Sequence, residues 1–479
     1  MIPSYSFQLV IFVQLKEHMS LIKSVSGIRG TLGGTPGENL TPKDIVAFAT
    51  GYAAWLRTRF SDRNQWLVVI GRDARPSGPM VAGLVAHTLA GCGIQVKDLG
   101  LSTTPTVEMA VPSYGAQGGI ILTASHNPVA WNALKLLNEK GEFLSAEDGE
   151  ALLALTSNPG DVYQPVEKMG QVTQAPDFID EHIEAILALP LVRKDLIEKA
   201  GFSISIDAVN SSGGVAIPKL LKALGVKTID NPYGEPHGRF PHNPEPLPEH
   251  LQEFFQRVKE VKADLGIVVD PDVDRLAFVA EDGSFFGEEY TLVAVADYVL
   301  SKTPGPVVSN LSSSRALQDI AEKYGQKRFT SAVGEVHVVR TMKKVNAVLG
   351  GEGNGGIILP ELHYGRDALV GVALFLSHLA EKKCKVSELR NQYPTYHMAK
   401  LKVDLAPGLD VDGLLNRVAA QYAEDQISRE DGVWIDHGTG WVHLRKSNTE
   451  PIIRIYTESK TMEAAQALGE SMRQQLLQS

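Results

Sequence analysis

The chain has 479 residues, with 46 Lys+Arg against 56 Asp+Glu and a net charge of −10. That acidity argues against a protein built to bind nucleic acid or an anionic membrane. A composition 43% hydrophobic and 21% charged excludes wholesale disorder, and the length allows about three domains.

Residues 7–13 (FQLVIFV) form an apolar run far shorter than the roughly 20 residues of a spanning helix. No basic residue precedes it, so neither an anchor nor a secretory signal is expected. Met19 opens MSLIKSVSGIRG, and residues 1–18 read as an N-terminal extension. From there on, short apolar β-rich runs alternate with helical segments, the pattern of α/β domains. Three passages look like variants of one unit: 67–78 (LVVIGRDARPSG), 203–214 (SISIDAVNSSGG) and 306–317 (PVVSNLSSSRAL). Each is an apolar strand, a polar loop and then a helical stretch. Their spacing is too long for a solenoid and fits tandem domains.

Between the first two passages lies 118–128 (GGIILTASHNP), an apolar strand ending in Ser125 and His126 before Asn127-Pro128 turns the chain. Ligands of open α/β sheets bind beyond the carboxyl ends of strands, where Ser125 would sit. An isolated Ser-His pair is more often a solvated turn, and no Gly-x-Ser-x-Gly elbow supports acyl transfer. The Pro/Gly/Gln-containing stretch 158–176 separates this unit from the next, and 231–248, with six prolines, reads as a long surface loop.

At 266–275 (GIVVDPDVDR) another apolar strand runs into Asp270, Asp272 and Asp274. Three carboxylates on one loop repel each other and call for a cation, Mg²⁺ or Ca²⁺ by their all-oxygen chemistry. An EF-hand is disfavoured, because Arg275 stands at the sixth position where glycine is required. The Asp-x-Asp loop of a phosphatase with an aspartate nucleophile, and a solvated acidic turn, remain as alternatives. At 350–356 (GGEGNGG), five glycines let the backbone approach a ligand closely, and Glu352 and Asn354 offer groups suited to sugar hydroxyls. A flexible turn is the plainer reading. Beyond residue 393, strands at 399–403, 432–435, 440–444 and 452–457 flank helices near 409–424 and 462–475, a smaller α+β unit. There 445–454 (RKSNTEPIIR) gathers Arg445, Lys446, Ser447, Asn448, Thr449 and Arg454 into a basic, hydroxyl-rich loop able to cradle a phosphate. Cys92 and Cys384 are too few for a disulfide framework, so reduced thiols in the cytoplasm are expected.

Together, TASHNP, DPDVDR, GEGNGG and RKSNTEP resemble the motifs of the α-D-phosphohexomutases, the family of phosphoglucomutases, phosphomannomutases and phosphoglucosamine mutases, over about residues 21–479. The resemblance implies an α/β fold with three tandem mixed-sheet α/β/α domains and a smaller C-terminal α+β domain around a central cleft. Domain limits of 19–165, 166–286, 287–390 and 391–479 are expected. It further implies that Ser125 carries a phosphoryl group and that Asp270, Asp272 and Asp274, with Ser125, hold one Mg²⁺. Arg29 in SGIRG and Arg72 in GRD would line the catalytic cleft. His126 and Lys135, with Asn132 nearby, would handle the hydroxyl proton, Lys135 through a pKa lowered by burial and neighbouring cations. Arg275 would bind the substrate, Glu352 and Asn354 would meet the sugar, and Arg445, Ser447, Asn448, Thr449 and Arg454 would hold the phosphate already on it.

The expected reaction interconverts hexose 6-phosphate and hexose 1-phosphate through hexose 1,6-bisphosphate, by a monomer or homodimer acting on a phosphosugar. Many members carry serine where Asn354 stands. Asn354 together with HNPEPLPE at 242–249 resembles the phosphoglucosamine mutase branch, so glucosamine 6-phosphate is the favoured substrate, with glucose and mannose phosphates open. The rival classes are a phosphatase using Asp270 and an inactive sugar-phosphate-binding protein.

Overall fold

The computed structural model describes residues 20–24, 27–175, 178–405, 410–423, 426–446 and 452–478. The expected extension at 1–18 and the loop residues Ser447, Asn448 and Thr449 lie outside them. Among the described residues no helix is long and apolar enough to cross a membrane.

The apolar runs form strands covered on both faces. Gly118–Leu122 and Leu265–Val269 bury every residue, as strands sandwiched between helices do. Three sheets repeat one plan. In the first, Gln95–Leu101, Leu67–Arg72 and Gly118–Leu122 run parallel and Trp131–Leu137 closes antiparallel. The second sets Thr228–Asp230, Ser203–Asp207 and Leu265–Val269 beside antiparallel Leu276–Ala280. The third sets Arg328–Ser331, Val307–Asn310 and Leu349–Glu352 beside antiparallel Gly356–Ile358. The three look-alike passages supply Leu67–Arg72, Ser203–Asp207 and Val307–Asn310, which among the four strands of this plan come first in the chain and second in the sheet. Gly27–Thr31 and the two edge strands, Ile22–Ser24 and Val172–Gln174, widen the first sheet to seven strands.

A fourth sheet of five antiparallel strands runs His397–Asp404, Ile452–Ser459, Trp441–Lys446, Val433–Asp436 and Ile427–Ser428. The expected architecture, three α/β/α domains and a smaller C-terminal unit, is the one found. The second and third sheets share a single apolar core, in which Phe278 and Phe375 stack with ring centroids 3.7 Å apart. The first and fourth sheets have cores of their own.

The common plan positions the site. In each of the three sheets the third strand ends in the loop that reverses the chain into the antiparallel fourth. Those loops carry Ser125, the three aspartates, and Glu352 with Asn354, and all three open at a strand's carboxyl end.

The proline-rich loop of the second domain is fastened by His242, whose Nε2 lies 2.8 Å from Asp207 Oδ2 and whose Nδ1 lies 2.8 Å from the Asn243 carbonyl. Both partners are acceptors, so the ring is best satisfied when it carries both protons. Burial opposes this, but the Asp207 carboxylate outweighs it and holds the His242 pKa above its ordinary value. A raised histidine pKa contributes stability fully below the unfolded value near 6.5 and loses it as pH climbs through the folded value. Melting temperature should therefore fall over that interval, and His242→Gln should flatten the profile there. A profile unchanged by the substitution would contradict the assignment.

Candidate active site

Ser125 sits at the tip of its loop with φ +48°, a left-handed conformation unfavourable for any residue but glycine. Arg75, fully buried, enforces it. Its Nη2 donates to the carbonyls of Ser125 (2.6 Å) and Asn127 (2.7 Å), and its Nη1 to those of Pro128 (2.6 Å) and Trp131 (3.0 Å). Its Nε donates to Asp73 Oδ2 at 2.9 Å. Asp73 in turn accepts from Thr123 Oγ1, which receives the Ser125 N–H. The sequence pointed to Arg72 instead. Arg72 donates to the Asp73 carbonyl (3.1 Å) and is not among the residues that line the cleft. So Arg75, three residues on in the same GRDAR run, is the arginine that grips the serine loop.

The Ser125 hydroxyl donates to Asp270 Oδ2 at 2.6 Å and lies 3.4 Å from His126 Nδ1. Asp270, Asp272 and Asp274 are all buried, with one carboxylate oxygen of each within 4.8 Å of the others. The backbone N–H groups of Asp274 and Arg275 both donate to Asp270 Oδ1. Lys135 Nζ donates to Asp272 Oδ2 (2.6 Å) and Asp274 Oδ2 (3.2 Å), and Thr104 Oγ1 also donates to Asp272 Oδ2. Asp272 Oδ1 and Asp274 Oδ1 are buried with no hydrogen-bond donor among the described residues. Buried carboxylate oxygens left without donors beside a third carboxylate fit a divalent cation held by oxygen ligands.

The electrostatics agree. Burial, then repulsion from Asp272 and Asp274, pushes the Asp270 carboxyl well above its usual range. Burial would raise Asp274 too, but Arg366, Lys135 and Arg275 outweigh it and hold it below. For Lys135 the expected lowering is reversed. Burial pulls its pKa down, yet Asp272 and Asp274 dominate and keep the ammonium charged, because its nearest neighbours are carboxylates rather than cations. Burial and Arg275 lower His126 well below 6.5, so its imidazole is neutral beside Ser125. Asn132 is structural in character: fully buried, it donates to Ser77 Oγ at 2.9 Å.

These loops face a cleft of about 1250 Å³ lined by residues of all four domains. Arg29, Arg275 and Arg454 converge there. Burial and then the charges of Arg275 and Arg454 lower the Arg29 pKa. Arg29 Nε and Arg275 Nε are buried without acceptors among the described residues, the reverse of the aspartate oxygens and the signature of a place for an anion. Arg275 also pairs with Glu245 at 3.3 Å, and Arg445 with Asp431 at 2.7 Å. The fourth domain docks on the third through polar contacts, Ser312 Oγ to His443 Nδ1 at 2.8 Å and Arg315 to Asp436 at 2.7 Å.

The glycine-rich loop comes close to protein as well as to the cleft. Gly355 has φ +85°, and a Cβ there would meet the Leu276 carbonyl at 2.0 Å. Asn354 Oδ1 accepts from the Gly356 N–H at 3.2 Å, and both Asn354 and Glu352 line the cleft. Glu352 is nevertheless engaged by Asn310 Nδ2 (2.8 Å), Gly334 N (2.9 Å) and Arg366 Nη1 (2.9 Å). Arg366 also donates to Asp274 Oδ2 (2.7 Å) and to Glu335 Oε2 (2.9 Å), whose pKa burial raises to about 7. This arginine, absent from the sequence expectations, joins the aspartate loop to the glycine-rich loop. The available signal was a second GRDA at 365–368, echoing the one at 71–74.

Models of the phosphoglucomutase/phosphomannomutase alpha/beta/alpha domains I, II and III match residues 21–160, 180–283 and 287–396, and the C-terminal domain of the same proteins matches 381–475. A phosphoglucomutase/phosphomannomutase of Thermococcus kodakarensis is 35% identical over 91% of this chain and 95% of its own length. A phosphoglucosamine/phosphogalactosamine mutase of Sulfurisphaera tokodaii is 29% identical over 95% and 99%. The crystal structure of a phosphoglucomutase/phosphomannomutase family protein from Burkholderia thailandensis superimposes with a TM-score of 0.80 at 25% identity, covering 94% of this chain and 96% of that one.

Proposed function

Because the chain belongs to the phosphoglucomutase/phosphomannomutase family of phosphohexomutases, we propose that it interconverts hexose 6-phosphate and hexose 1-phosphate with Ser125 as the phosphoryl carrier. The carrying observation is the 2.6 Å contact between the Ser125 hydroxyl and Asp270, made between loops of two different domains. In the forward half-reaction a sugar hydroxyl oxygen bonds to the serine-borne phosphorus as the bond from phosphorus to Ser125 Oγ breaks. The hydroxyl proton passes to a base, for which neutral His126 is the candidate in place. The resulting hexose 1,6-bisphosphate turns over and returns its other phosphoryl to Ser125.

Asp270, Asp272 and Asp274 would hold the cation, Mg²⁺ by the oxygen-only donor set, and when bound it supplies charge withdrawal from the transferring group. Arg29 and Arg275 serve the phosphoryl oxygens, and Arg445 and Arg454 the distal phosphate. Lys135, held charged, stabilises the aspartates rather than taking a proton.

For the sugar, glucosamine 6-phosphate is favoured by Asn354 and by the name of the Sulfurisphaera relative. The Thermococcus relative's name supports glucose and mannose phosphates as the second reading. A coupled assay with the three 6-phosphates, Mg²⁺ and catalytic hexose 1,6-bisphosphate separates them, with the highest kcat/KM expected for glucosamine 6-phosphate. A higher value for either neutral hexose reverses the preference. Failure of all three substrates, with no label appearing on Ser125 from labelled bisphosphate, defeats the proposal as a whole.

A further inference from the structure

Behind the cleft, where the first three domains meet, a second set of metal-type donors converges. His182 stands on the helix Phe178–Ala188, and His363 and Asp367 lie between Gly356–Ile358 and the helix Ala368–Lys382. His182 Nε2 lies 2.9 Å and His363 Nε2 3.4 Å from the same oxygen, Asp367 Oδ2. One donor atom of each residue falls within 4.8 Å of the others, and none of the three residues lines the cleft. In a tetrahedron of bonds ~2.0–2.1 Å long, the donor atoms stand about 3.3 Å apart, close to these separations.

Each donor is also aimed from behind. Asp367 Oδ1 accepts the backbone N–H groups of Leu369 (2.8 Å) and Val370 (3.3 Å), which turns Oδ2 towards the histidines. On the helix Thr104–Ser113 of the first domain, Thr106 Oγ1 lies 3.0 Å from His182 Nδ1 and Glu108 Oε2 lies 3.5 Å from His363 Nδ1. A metal-binding imidazole characteristically gives its remaining N–H to such an oxygen.

Glu108, behind His363, has unmet hydrogen-bonding capacity of its own. It is 1% exposed, and neither of its oxygens receives a hydrogen bond among the described residues. If His363 spends its proton on Asp367, its Nδ1 faces Glu108 acceptor to acceptor. A cation on Nε2 moves that proton to Nδ1, where Glu108 can accept it.

We propose that His182, His363 and Asp367 form a second divalent-cation site, distinct from the aspartate triad, that pins the first three domains together. Two imidazoles and one carboxylate select a borderline ion of the Zn²⁺ or Co²⁺ kind over Mg²⁺, with the fourth position left to water. His363 is partly exposed and gives the ion a way in. Asp367 follows Arg366 directly, so the ion would also steady the arginine that joins the aspartate and glycine-rich loops.

The test is metal content. Full-length protein stripped with chelator is dialysed against Zn²⁺ in excess Mg²⁺, and bound zinc is measured by plasma mass spectrometry, with Co²⁺ absorption as a report on imidazole ligation. Wild type and Asp272→Asn should each keep about one zinc per chain, whereas His363→Ala and His182→Gln should keep close to none. Zinc should raise the melting temperature of wild type and not of His363→Ala. Should buried His182→Gln fail to fold, partly exposed His363→Ala still decides the matter. Wild type that keeps no zinc, zinc lost with Asp272→Asn, or zinc undiminished in His363→Ala overturns the site and leaves a purely hydrogen-bonded network with the proton on Glu108.

Discussion

Ser125→Ala is expected to lower mutase turnover by at least about 10³-fold while the protein stays folded. Removing a covalent carrier removes the route itself, and single losses within a unit of reacting groups reach such factors or beyond. Alanine keeps the Cβ that the left-handed backbone already tolerates, and the Arg75 contacts to the loop's carbonyls do not involve the side chain at 125. The stability cost is therefore limited to one hydrogen bond to Asp270, about 1 kcal/mol. Turnover is read in the coupled assay and the fold by circular dichroism. The same variant separates the rival classes. A phosphatase using Asp270 would keep releasing phosphate, and a binding protein would keep its sugar-phosphate affinity with no turnover to lose. Mutase activity within a few-fold of wild type would rule out Ser125 as the carrier.

The second large effect belongs to Arg366→Ala. The guanidinium is the shared partner of Asp274, Glu335 and Glu352, all nearly fully buried. Its loss leaves three carboxylates facing one void, and breaking even one buried pair in this way costs about 3–5 kcal/mol. Unfolding in urea should show that loss as a lower midpoint with an unchanged slope. Arg366→Lys should recover only part of it, since the three N–H donors of an ammonium share one nitrogen and cannot reproduce the planar spread by which Nε, Nη1 and Nη2 each reach a different carboxylate. Adding Glu335→Gln to Arg366→Ala should restore stability partially, because one of the stranded charges is then gone. A midpoint equal to wild type in Arg366→Ala would show that the three acids are neutral or solvated without it.

The loops carrying Ser125, the aspartates and Glu352 were legible because each follows an apolar strand directly, and a strand's carboxyl end is where an α/β sheet places its ligands. The tandem architecture was legible for the same reason: three first strands with similar polar sequels mark three equivalent sheets. Arg75 and Arg366 were not. Their roles are defined by partners far away in the chain, backbone carbonyls near residue 125 for one and carboxylates from three separate segments for the other, and a carbonyl has no sequence signature. The charge on Lys135 is hidden from the sequence on the same ground, since the carboxylates beside it lie on another domain's loop. The His182 cluster has no sequence signature, because its members are scattered over the chain with no motif spacing.

The main-chain twist at residue 125 also bears on which alcohol can stand there. In solution chemistry threonine would carry a phosphoryl group as well as serine does. Its branched β-carbon, however, crowds a backbone with φ +48°, and relaxing that dihedral would draw the carbonyl away from Arg75 and swing the oxygen off Asp270. The choice between two equally nucleophilic hydroxyls is thus made by peptide geometry, before any sugar arrives.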